Sequence, residues 1–227
     1  MPGYYPIMLD VRGRLAVVVG GDRVAAEKAA TLADAGAQVT ALAPDFCDEL
    51  RSLAAAERIT LRQKTYAPGD LDGAFIVVAA VTHDPALVEA IWAETQECGQ
   101  LVNIVDVPAR CSFILPSILR RGQLTIAVST EGASPSLAKR IRQRLEKLFP
   151  PSYGPYLRLA AVARARLRAN GVSYARRDDF FGAFDASDAL SRLTAGDATG
   201  ATATTAALLR DFGADVTPAA IEEALDA

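Results

Sequence analysis

Short apolar runs alternate with amphipathic stretches through the first half of the chain. That alternation restricts it to a sheet of parallel strands joined by helical crossovers. The run LAVVV, Leu15 to Val19, has no polar interruption, as expected of a strand covered on both faces. It is entered from a turn at Arg12-Gly13 and runs into Gly20-Gly21. Further strands are expected over residues 38–42, 59–64, 75–80 and 101–105, with helices over 24–35, 45–55 and 85–97. The 59–64 run is the most polar of these and suits a sheet edge. Right-handed crossovers between such strands produce a Rossmann-like, doubly wound α/β sheet.

The texture changes near Pro108. Residues 112–119 and 123–129 are β-prone and joined by Arg120-Arg121-Gly122, a hairpin signal. Ser134-Pro135 then opens a helix with a capping hydroxyl and a proline in the first turn. Leu137, Ile141, Leu145 and Leu148 form an apolar stripe along it, and Pro150-Pro151 stops it. Helices are expected over 156–170, 202–212 and 218–225. The division that follows is 1–110 for the sheet domain, 111–150 for a small α+β region, and 151–227 for a helical C-terminal domain.

Composition excludes several functional classes. A formal net charge of -3 is the wrong sign for a general nucleic-acid binder. No apolar run is long enough to span a bilayer, and no secretory signal is visible at the N-terminus, so a cytoplasmic location is expected. Cys47, Cys98 and Cys111 lie far apart, and His83 is the single histidine, so neither a disulfide framework nor a dedicated metal site is expected.

Strand, glycine turn and helix together aim backbone N–H groups at a pyrophosphate. The turn Gly20-Gly21-Asp22-Arg23-Val24-Ala25 keeps the first small position of the dinucleotide fingerprint and the last, but places Asp22 where a second glycine is usual. A carboxylate there opposes the approach of a phosphate, and Arg23 beside it is available to offset the charge. Asp22→Gly is therefore expected to tighten binding. Pro44 and Asp45 follow the second strand, at the place of the ribose-binding acid, and no arginine or lysine is evident at that strand end to hold a 2′-phosphate. NAD is therefore favoured over NADP. Thr82, after the fourth strand, completes the expected cofactor contacts.

Four segments carry a more specific signal. They are residues 4–44 around RLAVVVGGDRVAAEKAATLADAGAQV, VNIVD at 102–106, SFILPSILRRGQLTIAVST at 112–130, and EGASPSLAKRIRQRLEKLFP at 131–150. In this order and spacing the first 150 or so residues resemble the precorrin-2 dehydrogenase/sirohydrochlorin ferrochelatase family, which also forms the N-terminal half of fused siroheme synthases. The resemblance implies an NAD-binding domain, dimerisation through the hairpin and basic helix, and an active site between the domains. It also implies oxidation of precorrin-2 to sirohydrochlorin with NAD+ as hydride acceptor. Some family members insert iron as well; a chelatase alone, or a non-catalytic tetrapyrrole carrier, are the alternatives. Asp106 matches the family's functional aspartate, and a carboxylate at a strand's carboxyl end is suited to accept a substrate proton.

From Arg110 to Pro150, eight arginines and lysines face two glutamates, within a chain that is acidic overall. Such a wall suits a polycarboxylate macrocycle. The substrate is expected to meet Ser112, Ser117, Ser134, Lys139 and Arg140, and the apolar stripe of the same helix suits a packing or homodimer face.

Overall fold

Residues 3–81 and 83–226 are described by a computed structural model of the chain. Five of the apolar runs lie side by side as β1 (Leu15–Val19), β2 (Gln38–Ala43), β3 (Thr60–Gln63), β4 (Ile76–Ala79) and β5 (Leu101–Ile104). Every pairing is parallel, in the order β3-β2-β1-β4-β5. Helices α1 (Arg23–Asp34), α2 (Asp48–Ala55) and α3 (Pro85–Glu97) make the crossovers. The chain winds outward from β1 to β3 and then returns to lay β4 against the other side of β1. The order therefore reverses between β1 and β4, where open α/β sheets hold their ligands.

Alternation of side chains along each strand divides the core into two layers. Ala16 and Val18 of β1 join Ala25, Ala29, Val39, Leu50 and Val78 on one face. Val17 and Val19 join Leu42, Val77, Val88, Ile91 and Ile104 on the other. With both faces covered, β1 and β4 require the unbroken apolar runs seen in the sequence. Alanines at 25, 26 and 29 give α1 a side without bulk, so it packs close to the sheet. Polar β3 is an edge strand, as its composition suggests. Arg62 and Lys64 from that edge converge on the Asp70 carboxylate at 2.7 and 3.0 Å.

The chain divides into two compact units after Leu115. The second unit begins with a hairpin, β6 (Ser117–Arg121) and β7 (Leu124–Val128). Its two-residue loop starts at Gly122, with φ +58°, the pattern of a type II′ turn; a Cβ there would also press on Gly154 at 3.2 Å. The first hairpin strand starts at Ser117, five residues later than its β-prone sequence suggests. Ser112 and Phe113 are bound instead along the free edge of β5, as described below. Helices α4 (Pro135–Leu148), α5 (Tyr153–Ala169), α6 (Tyr174–Asp185), α7 (Ala189–Thr194), α8 (Ala198–Asp211) and α9 (Pro218–Asp226) follow.

The helical core is built on aromatic contacts. Tyr156 and Phe180 both stack on Phe184, at 4.7 and 5.8 Å between centroids. The Tyr156 hydroxyl donates to Asp185 Oδ1 at 2.6 Å, so its polar end is satisfied inside an apolar cluster. Helices α6 and α7 were not anticipated. In α6 three phenylalanines crowd one half around Gly182, which hides the helical period from a reading of the sequence alone.

Candidate functional site

The loop after β1 is built so that no side chain fits in its first two positions. Gly20 has φ +141°, and a Cβ on it would lie 3.1 Å from the Ala80 carbonyl oxygen at the end of β4. A Cβ on Gly21 would fall 1.9 Å from the Asp45 carbonyl oxygen. Hydrogen bonds fix that proximity: Gly20 N–H donates to Leu42 O at 3.0 Å, and Cys47 N–H donates to Gly21 O at 2.7 Å. The turns after β1 and β2 thus form a single laced rim, and Gly20, Gly21, Pro44 and Asp45 come together on it.

Asp22 acts as the N-cap of α1. Its Oδ1 accepts from Ala25 N–H at 2.9 Å, which explains why an acid is tolerated at the positive end of a helix. Ala26 N–H is taken by the Asp22 carbonyl, while the N–H groups of Arg23 and Val24 have no partner among the described residues. Two free amides at a helix N-terminus beside a bare glycine turn fit a dinucleotide pyrophosphate. Arg23 does not offset Asp22 as expected, because its guanidinium is bound to Glu49 at 3.0 Å. Among the described residues, the Asp22 charge is therefore compensated only by the helix end that it caps.

A further correction concerns the end of β2. A cation does reach it: Arg51 of α2 turns back to Asp45 Oδ1 at 2.6 Å and to the Phe46 carbonyl at 3.0 Å. The sequence concealed this because Arg51 lies six positions downstream, and only the fold of α2 brings it back. Thr82 lies outside the described residues.

Asp106 follows β5, two strands from β1 and roughly 10 Å across the same rim at ordinary strand spacing. It is exposed, with φ +58°, a conformation that few residues other than glycine adopt. Val107 N–H donates to Ile104 O at 3.1 Å, closing a turn of type II pattern with Asp106 at its third position. Among the described residues no donor is assigned to its carboxylate. It therefore projects as a free acid rather than capping its own loop.

Ser112 has a task that its sequence does not disclose. Its Oγ accepts from Val102 N–H at 2.8 Å and donates to Val102 O at 3.3 Å, satisfying the free edge of β5. The other expected substrate residues belong to the second unit. Ser117 opens β6, Ser134 caps α4 by accepting from Leu137 N–H, and Lys139 and Arg140 are exposed on α4. Of the basic segment, Arg110 pairs with Glu89 and Arg142 with Glu146, while Arg121 donates to the Phe149 carbonyl. Arg120, Lys139, Arg140, Arg144 and Lys147 have no acidic partner among the described residues.

Comparison with known proteins agrees with this geometry. Residues 7–117 match an NAD(P)-binding family model, and residues 121–148 match the model of the sirohaem biosynthesis protein central domain. The two occur in chain order, the first ending just past the break between the units. The chain belongs to the precorrin-2 dehydrogenase and siroheme synthase N-terminal family.

Siroheme synthase of Photorhabdus laumondii is 39% identical over 178 residues, covering 78% of this chain and 38% of that protein. Siroheme synthase of Thiobacillus denitrificans is 43% identical over 166 residues, covering 73% and 34%. The chain thus spans little more than a third of the length of these curated relatives. A solved structure of SirC, precorrin-2 dehydrogenase, superposes with a TM-score of 0.73 at 28% identity, covering 89% of this chain and 98% of that one. Both findings support a nicotinamide dinucleotide as the cofactor.

Asp22→Asn separates the cap from the charge, because its side-chain oxygen still accepts from Ala25 N–H. Dinucleotide binding is expected to tighten about two- to fivefold, the scale of one charge at an exposed helix end. Asp22→Gly should act in the same direction, at a small cost in helix stability. Calorimetric titration with no gain in either variant would show that the pyrophosphate does not approach this turn.

Proposed function

We propose that the chain dehydrogenates precorrin-2 to sirohydrochlorin with NAD+. The observation that carries this reading is the Asp106 carboxylate, to which no described residue donates, held in a left-handed turn on the same sheet rim as the glycine turn. When bound, the dinucleotide supplies the hydride acceptor. The free amides of Arg23 and Val24 hold its pyrophosphate, and the lack of side chains at Gly20 and Gly21 lets it approach. Asp106 accepts the proton that leaves the macrocycle, so that loss of one hydride and one proton completes a two-electron oxidation. Among the described residues it has no hydrogen bond to break before doing so.

NAD is the proposed form of the cofactor. The Asp45 carboxylate stands at the end of β2 with a side chain 81% exposed, well placed to accept from ribose hydroxyls and to repel a 2′-phosphate. Arg51 is tied to it and so is not free to hold that phosphate. Ser112, Ser117, Ser134, Lys139 and Arg140 are proposed as substrate contacts. The unpaired cations of the basic segment supply the charge that a polycarboxylate would need. Leu137 and Leu148 of the α4 stripe are 47% and 67% exposed, which supports a homodimer interface there. No described helix is long and apolar enough to cross a membrane, and a cytoplasmic enzyme is proposed.

A second reading, metal insertion into sirohydrochlorin without dehydrogenation, is favoured by the negative charge that Asp22 places on the dinucleotide turn. The test is direct. Precorrin-2 and NAD+ are added to the purified chain without metal, and sirohydrochlorin absorbance is followed together with NADH. Product formed in step with NADH is the expected result. In a second arm given sirohydrochlorin and ferrous iron, iron insertion by a chain that forms no NADH in the first would replace the dehydrogenase reading with the chelatase one, and neither activity would leave a tetrapyrrole carrier.

A further inference from the structure

The segment Cys111-Ser112-Phe113 lies along the free edge of β5, where a sixth strand would otherwise pair. Side chains perform much of that pairing. Ser112 Oγ bridges both polar groups of Val102, and Asn103 Nδ2 donates to the Phe113 carbonyl at 2.9 Å. Cys111 reaches furthest, into the turn that carries Asp106. Its Sγ lies 3.2 Å from Ile104 N, 3.3 Å from Ile104 O and 3.3 Å from Val107 O. Ile104 and Val107 are the first and last residues of that turn, and Asp106 between them has φ +58°. Left-handed backbone still costs an aspartate more than a glycine, so neighbouring contacts help to hold it, and here one sulfur atom touches both ends of the turn.

We propose that Cys111 is a positioning residue, whose thiol clamps the 104–107 turn and so aims the Asp106 carboxylate. Burial raises the thiol pKa, which keeps it protonated, with its single S–H shared between the two carbonyls. The thiol takes no part in proton or hydride transfer. It acts only through the backbone on either side of Asp106. The claim rests on the role proposed above for Asp106, so its test needs a readout that does not depend on activity.

Cys111→Ala and Cys111→Ser are compared in the full chain by amide hydrogen exchange over residues 101–113, by turnover, by dinucleotide titration and by melting temperature. In Cys111→Ala the Val107 amide is expected to exchange about tenfold faster, since the turn it closes loses its clamp. Turnover should fall about tenfold with the dinucleotide Kd changed less than twofold, because one misplaced group is felt only at the reacting atoms. Serine, with a hydroxyl that can reach the same carbonyls, should recover most of both losses. In an Asp106→Asn background, Cys111→Ala should cost no further turnover, since the two residues act as a single unit. Unchanged exchange at Val107 overturns the clamp, and an undiminished further loss in the Asp106→Asn background overturns the positioning role. Full turnover by Asp106→Asn alone would instead sink the role given to Asp106, and the exchange data would still decide whether the thiol holds the turn.

Discussion

Asp106→Ala is expected to lower precorrin-2 turnover by about 10²- to 10⁴-fold, the usual contribution of a positioned acid–base group. The dinucleotide Kd should change by less than about twofold, because the glycine turn lies two strands away and shares no hydrogen bond with residue 106. The substitution removes an exposed side chain with no donor assigned to it among the described residues, so little native packing is lost. Asp106→Asn is the companion variant, since asparagine tolerates the left-handed conformation that alanine resists. Both should be comparably inactive if the charge matters, whereas a large gap between them would trace the loss to the backbone. Loss of dinucleotide binding in either variant would refute the division of labour proposed for this rim.

The second large effect is expected at Gly21. Alanine there would place a Cβ 1.9 Å from the Asp45 carbonyl oxygen, a distance that no rotamer relieves because both atoms belong to fixed backbone. Either the 45–47 segment or the helix N-terminus must move, and Cys47 N–H loses its bond to Gly21 O in the process. The amides proposed to face the pyrophosphate are displaced with it. Dinucleotide affinity is expected to fall by more than about tenfold, since preorganised donors lose their value when shifted by an ångström. Melting temperature and titration measured together check this. Wild-type affinity in a Gly21→Ala chain with unchanged stability would mean that the rim is not closed in the way described.

These two sites were not equally legible. The glycine turn could be read directly, because a strand, two glycines and a helix are consecutive in the chain and their spacing expresses a local constraint. Asp22 was visible as a departure from the fingerprint, yet its use as a helix cap depends on where its carboxylate turns. Arg51 could not be linked to Asp45 before α2 was folded, and its guanidinium alters the charge at the strand end where the cofactor's ribose is proposed to bind. Ser112 was anticipated as a substrate contact, and its hydroxyl is engaged by the edge of β5. In the sequence Cys111 is one of three dispersed thiols, and nothing in its neighbours reveals that the chain doubles back past Ile104.

The parallel sheet was already present in the pattern of apolar runs. A strand covered on both faces must be continuously apolar, a polar one must find an edge, and glycine must stand where no side chain fits. Such requirements act within a few residues and leave their mark in the order of the chain. The partners of Asp22, Arg23, Arg51, Ser112 and Cys111 are of another kind. Each is a polar group whose bonds are selected by which backbone happens to pass within about 3 Å, and that is decided by packing between segments distant in sequence. The turn that presents Asp106 belongs to this second class, because its left-handed geometry is held by a sulfur atom five positions further along the chain.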